Sequence, residues 1–257
     1  MFGRAMVRAS AIPKRLLPRS AWEGLRIAAG KAPLTRETIA RMYLKGEGIE
    51  IGALHNPVSV PKTARVKYVD RMPVSELAAQ YPEVEPESLV RIDIVTDGET
   101  LGGISDQSQS FVIANHFLEH CQNPILALEN MLRVLEPEGI LYLAVPDKRY
   151  TFDVDRPVTP LSHVLRDYRD GPAWSQRQHF EEWSRLVTKV TSEEHVQIES
   201  DHLMSMDYSI HFHVWTQAEL LELVLELHRT FGNFDVQLMF ETGSEDILVL
   251  RKTAGSI

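Results

Sequence analysis

Phe111-Val112-Ile113-Ala114 has no polar residue at four successive positions, so as a strand it must be covered on both faces. Sheets buried on both sides are built from parallel strands joined by crossover helices, and the neighbouring sequence supplies both. Asn123-Pro124 reads as an N-cap and first helical residue. Behind it Ile125, Leu128, Met131, Leu132 and Leu135 recur at helical spacing until Pro137-Glu138-Gly139. Further strands are expected at residues 48–51, 66–69, 92–95 and 140–145. Thr216-Gln217-Ala218-Glu219 has the form of a capping box for a helix closed near Gly232. Strands at 234–240 and 247–250, joined by Thr242-Gly243-Ser244-Glu245-Asp246, make a terminal antiparallel hairpin.

Between residues 148 and 211 the strand-helix rhythm lapses into a segment rich in aromatic, Arg and His residues, which reads as a mostly helical lid. The expected division is an N-terminal helical arm at 1–45, a nucleotide-type α/β core at 46–147, the lid at 148–211 and a return to the core at 212–257.

Charge and cysteine content narrow the class. A formal net charge of −9 argues against a general nucleic-acid binder, which presents a basic face to phosphates. The lone Cys121 excludes a disulfide framework and a cysteine zinc site, and suits a reducing, cytoplasmic setting. No run reaches the roughly 18 apolar residues of a membrane span. The basic opening segment, without an acid before Glu23, is broken by Arg8, Pro13 and Lys14, so it is expected to be a solvated arm and not a secretory signal. Oligomeric state is left open, a homodimer included.

In doubly wound sheets ligands bind beyond the carboxyl ends of the strands. The residues there are Gly52-Ala53-Leu54, Asp70-Arg71, Asp97-Gly98, Asn115-His116 and Pro146-Asp147. A carboxylate after the second strand can accept both hydroxyl hydrogens of a ribose, and one after the third can accept from the amine of adenine. Each alone is as well explained as a turn glycine or a capping acid. The G-x-G-x-x-G turn of a nicotinamide dehydrogenase is missing after the first strand.

The motifs EIGALHNP, VKYVDR and the block from Asp93 to Tyr150 resemble the class I S-adenosylmethionine (SAM)-dependent methyltransferases, particularly the type 11 small-molecule group, over roughly residues 46–150. The resemblance implies a Rossmann-like, seven-stranded α/β sheet that ends in an antiparallel hairpin and carries a helical lid. It assigns Glu50, Gly52 and Ala53 to the first cofactor loop, Asp70 with Arg71 to the ribose, Asp97 with Gly98 to the adenine side and Asn115 to the methionine part. The chain departs from the family where Leu54 replaces a second glycine.

Methyl transfer from a sulfonium needs an aligned acceptor and, for a hydroxyl, a base or a metal ion. His116, Glu119 and His120 lie at i, i+3 and i+4, so on a helix they would share one face and offer two imidazoles and a carboxylate to a divalent ion such as Mg²⁺. A similar metal-binding helix follows the same strand in small-RNA 2′-O-methyltransferases. The bland reading of the trio is packing and capping beside the cofactor. His211-Phe212-His213 alternates as a strand would, and either imidazole could complete a metal site or act as base. His116, Asp147 and His213 are the candidate bases. The remaining lid histidines read more simply as surface or core residues. Arg149, Tyr150, Arg156, Trp174 and Trp183 could contact a sugar, or merely hold the lid down. The lid resembles that of sugar O-methyltransferases, which implies a small sugar-like acceptor. The competing readings are methylation of another small molecule and a SAM-binding scaffold without chemistry.

Overall fold

A computed structural model describes residues 33–82 and 84–254. Seven strands form one sheet: β1 Gly46–Ile51, β2 Ala64–Asp70, β3 Ile94–Val95, β4 Gln109–Asn115, β5 Leu135–Pro146, β6 Phe234–Thr242 and β7 Glu245–Lys252. Their order across the sheet is β3-β2-β1-β4-β5-β7-β6. The pairs among β1 to β5 are parallel, and β7 runs antiparallel to both of its neighbours. The order reverses between β1 and β4, which opens a crevice at the carboxyl ends of those strands.

Helix α1 spans Arg36–Tyr43, α2 Val74–Gln80, α3 Pro124–Val134, α4 Leu161–Asp170, α5 Gln176–Leu186, α6 Glu193–Ser205 and α7 Gln217–Phe231. The apolar run in β4 is sandwiched as its composition requires. Val112 and Ala114 pack with α3 and α7, through residues such as Met131 and Val224, while Phe111 and Ile113 pack with Ile39 and Ala40 of α1. Full burial of side chains of this size contributes about 1.5–3 kcal/mol each. Asn123 accepts from the Leu126 N–H at the head of α3, with Pro124 in the first turn. At α7, Thr216 and Glu219 make the expected capping box, and Gly232 closes the helix in the left-handed region, φ 63°.

Three expectations need correction. The helix after Asn123 ends at Val134, not near Pro137, because Leu135 already belongs to β5 and Glu138 takes a positive φ of 66°. The strand expected at 92–95 shrinks to Ile94–Val95. His211-Phe212-His213 forms no strand, and the nearby Trp215 forms an isolated bridge to Asp147. Residues 1–32 of the expected arm lie outside the described residues, and α1 is the part of it seen as helix.

The lid residues supply α4, α5 and α6. Leu161, Leu165 and Tyr168 seat α4 against the main core, whereas Phe180, Leu203, Ile210 and Phe212 form a small core of their own. Among the described residues, no helix is long and apolar enough to cross a membrane.

Candidate active site

A cavity of about 520 Å³ opens at the carboxyl ends of β1, β2 and β4, under the end of the lid. Gly52 borders it with φ 65°, a conformation that favours glycine, and directs the chain away from β1. Gly98 is glycine for a different reason. A Cβ there would lie 2.6 Å from Phe117 Cζ and 2.8 Å from Ile51 Cγ2, so the cavity wall is built by side chains closing on a bare backbone.

Asp70 ends β2 at the cavity, its Oδ1 accepting from the Arg71 N–H at 2.7 Å. Burial raises its carboxyl above the ordinary value, against the hydrogen bond and charge of Arg71. Asp97 also lines the cavity, but its Oδ1 accepts from the Thr100 N–H and hydroxyl at 2.8 and 3.0 Å, so the same side chain shapes the turn. Arg71 reaches across to the lid, where its guanidinium meets the Asp207 carboxylate at 2.6 Å.

Other residues expected at the cofactor stand behind this wall. Glu50 is buried, and its two oxygens accept from the Val58 N–H at 3.0 and 3.2 Å. It thereby holds the loop after β1 and does not line the cavity. Ala53 is likewise outside the lining, its carbonyl accepting from the Asn56 N–H. Asn115 lies directly before His116 and carries a buried amide whose oxygen and nitrogen both lack a hydrogen-bond partner.

The trio after β4 is not an α-helix. His116 takes φ 49°, which breaks any helical path, and only Leu118–His120 form a 3-10 turn. His116 Nε2 consequently lies 2.7 Å from Glu245 Oε2, at the start of β7, with Nδ1 3.7 Å from Glu119 Oε1. The hydrogen bond to Glu245 raises the His116 pKa, against the effect of burial. Glu245 is also paired with Arg36.

Glu119 and His120 instead converge with His211. One ligand atom from each lies within 4.8 Å of the others. The backbone brings them together: the Glu119 carbonyl accepts from both the Phe212 and the His213 N–H, at 2.7 and 3.2 Å. His120 Nδ1 donates to the Ile210 carbonyl at 2.9 Å, and His211 Nδ1 to Asp153 Oδ2 at 2.7 Å. Both rings therefore keep Nε2 free to bind a ligand. Glu119 is 1% exposed, and neither carboxylate oxygen has a hydrogen-bond partner. Burial pushes its carboxyl up and holds His120 down to about 3.

A buried carboxyl without hydrogen-bond partners costs free energy unless something else binds it. Two oriented imidazoles beside it complete a donor set suited to a divalent ion. His120 borders the cavity, so an ion held here would sit at its edge.

The other proposed bases are occupied elsewhere. Asp147 caps the turn at Lys148–Tyr150 and is bound by the Arg149 guanidinium at 2.6 Å, away from the cavity lining. His213 is fully buried beside Asp167. Arg156, read as an acceptor contact or as a residue that holds the lid down, is buried against Asp153 and Glu182. Trp174 lies under the Arg166 guanidinium, 3.9 Å from ring centre to Cζ. Asp153, Asp167 and Glu245 were not singled out from sequence. His163 followed four residues later by Asp167 was the one local signal available, since a helix places them on one face.

A family described as "Methyltransferase domain" matches residues 18–225. The chain belongs to that family. As a class I SAM-dependent methyltransferase it has the expected sheet, with β7 reversed at the β5 edge. No curated protein matches the methyltransferase. Among solved structures it is similar to a putative Zn-dependent alcohol dehydrogenase from Rhodobacter sphaeroides, at 13% identity, TM-score 0.51, covering 87% of this chain and 92% of that one. That likeness is one of fold. A putative SAM-dependent methyltransferase from Methanococcus maripaludis matches at 14% identity and TM-score 0.43, covering 92% of this chain and 93% of that one. The CurJ carbon methyltransferase matches at 15% identity and TM-score 0.44 over 91% of this chain. The methyltransferase spans 54% of CurJ's length.

Proposed function

We propose that the chain methylates a hydroxyl of a small, sugar-like acceptor. SAM supplies a methyl group already activated on a sulfonium. The chain's contribution is to hold the donor in the cavity, Asp70 at the ribose and the Asp97-Gly98 turn at the adenine, and to position the acceptor oxygen next to it. The observation that carries the reading is the Glu119 carboxylate, buried without a hydrogen-bond partner between two imidazoles whose Nδ1 atoms are already engaged. Glu119, His120 and His211 would hold a divalent cation, Mg²⁺ or Mn²⁺, which when bound lowers the pKa of a coordinated hydroxyl. His116, hydrogen-bonded to Glu245 at the cavity edge, would take the proton.

An acceptor with adjacent hydroxyls suits this arrangement. Exposed Phe152 stands over His211, ring centres 4.8 Å apart, with Trp183 5.4 Å from Phe152. These rings offer apolar faces to a sugar. The resemblance of the lid to that of sugar O-methyltransferases makes the 1-hydroxyl of a 3-O-methylmannoside the first acceptor to try.

The experiment is transfer of labelled methyl from SAM to a panel of mannosides, with and without chelator. O-methylated product, lost in chelator and restored by Mg²⁺ or Mn²⁺, is the expected result. Full activity in chelator removes the cation and leaves His116 as the sole proton acceptor. Carbon methylation, or SAM binding without transfer across the panel, overturns the proposal.

A further inference from the structure

A second convergence of side chains lies deeper in the lid. His163 and Asp167 project from α4, His179 from α5, and His213 from the segment that returns to the core. His163 Nε2 lies 3.2 Å from Asp167 Oδ2 and 3.1 Å from His179 Nε2, and His213 Nε2 lies 3.1 Å from the same Asp167 oxygen. All four ligand atoms are within 4.8 Å of one another. Tetrahedral zinc with bonds of about 2.0–2.1 Å separates its ligand atoms by about 3.3 Å. The observed edges are close to that spacing.

Hydrogen bonding alone does not account for the arrangement. A neutral imidazole nitrogen carries either a proton or a lone pair. If His163 Nε2 carries the proton, Asp167 and His179 compete for it. If it carries the lone pair, it faces the Asp167 carboxylate oxygen with nothing between them. His213 is turned so that Nε2 meets the cluster, while Nδ1 is left buried with no partner. Asp167 is fully buried, with Ser175 Oγ donating to its other oxygen at 3.0 Å. A single cation at the centre satisfies all four inward atoms and offsets the cost of the buried carboxylate.

We propose that His163, Asp167, His179 and His213 bind one structural Zn²⁺ ion. Four protein ligands close the coordination shell, so the ion does no chemistry. Its position explains its use. It pins α4 and α5 to the segment carrying His213, two residues beyond His211, and so fixes the lid half of the site around Glu119. The proposal is independent of the acceptor and of any cation at Glu119.

Elemental analysis of tag-free protein tests it. About one zinc per chain is expected, retained in Glu119→Gln and lost in Asp167→Asn and in His179→Ala. Protein in which Co²⁺ replaces the zinc should show the intense visible bands of a four-coordinate ion, and X-ray absorption at the zinc edge should give a nitrogen and oxygen shell dominated by imidazole. These two readings need only the wild-type chain, so they decide the matter even where a variant does not fold. Protein that is free of zinc and takes up no four-coordinate Co²⁺ overturns the proposal. Zinc that leaves with Glu119→Gln and stays in Asp167→Asn overturns it equally.

Discussion

His211 donates through Nδ1 to Asp153 at 2.7 Å, and that bond decides which of its nitrogens faces Glu119. Burial pushes the Asp153 carboxyl up, but hydrogen bonds from His211 and Arg156 outweigh it and hold the group below its ordinary value. A carboxylate behind a ligating imidazole orients the ring and raises its basicity, and loss of such a partner weakens metal binding by roughly 10–100-fold. Asp153→Asn is therefore expected to raise the Mn²⁺ concentration for half-maximal activity by about that factor, with SAM affinity intact. Titration of activity against Mn²⁺, alongside calorimetry with SAM, checks it. An unchanged metal requirement would detach His211 from the site.

Asp70 is the acid at the cavity that closes a strand, and it is the proposed ribose partner. Hydrogen bonds to charged groups are worth about 1.5–3 kcal/mol, so Asp70→Ala should weaken S-adenosylhomocysteine by roughly ten- to a hundredfold. Calorimetric affinity equal to wild type would move the ribose elsewhere.

Gly98→Ala adds a methyl group where Phe117 and Ile51 already close in. Overpacking of this kind costs about 1–3 kcal/mol, and here Phe117 would be displaced toward the cavity. The expected outcome is a lower melting temperature together with weaker cofactor binding. A fall in one without the other would separate the wall of the cavity from its support.

Glu50 should leave its mark on the pH dependence of stability. Burial raises its pKa from 4.5 to about 7, against the Val58 hydrogen bond and the charge of Arg36. Between those values the folded chain binds more proton than the unfolded chain. The contribution is thus fully present below about pH 4.5 and lost as pH rises through 7, with roughly 3 kcal/mol as its upper limit. Glu50→Gln keeps an acceptor for Val58 but cannot ionise. Its melting temperature should exceed that of wild type at pH 8, and the difference should vanish near pH 5. Parallel curves over that range would show that Glu50 does not titrate there.

What sequence reading captured was local. The Asn123-Pro124 start, the Thr216 capping box and the apolar run in β4 each declare themselves within a few residues, because backbone hydrogen bonding and side-chain periodicity are short-range. Asp70, Asp97 and the glycines at the strand ends followed from strand order. The trio after β4 was misread because its spacing presupposed a helix, and one positive φ at His116 sends that ring to Glu245, 129 residues away in sequence. Asp153 and Asp167 have local partners in Arg156 and His163, but their contacts with His211 and His213 span 58 and 46 residues. No periodicity encodes such pairings.

The single carbonyl of Glu119, gripped by two successive N–H groups of the 211–213 segment, has a consequence for protein engineering. Two of the three proposed donors, Glu119 and His120, follow β4, and the third, His211, lies in the chain leaving the lid, so the lid is not an exchangeable specificity module. A chimera that imports a foreign lid at its sequence boundaries would keep the cofactor cavity and inherit only a fraction of the reactive centre. Retargeting the acceptor will have to proceed by substitutions on the face around Phe152, with the 211–213 segment left in its native register.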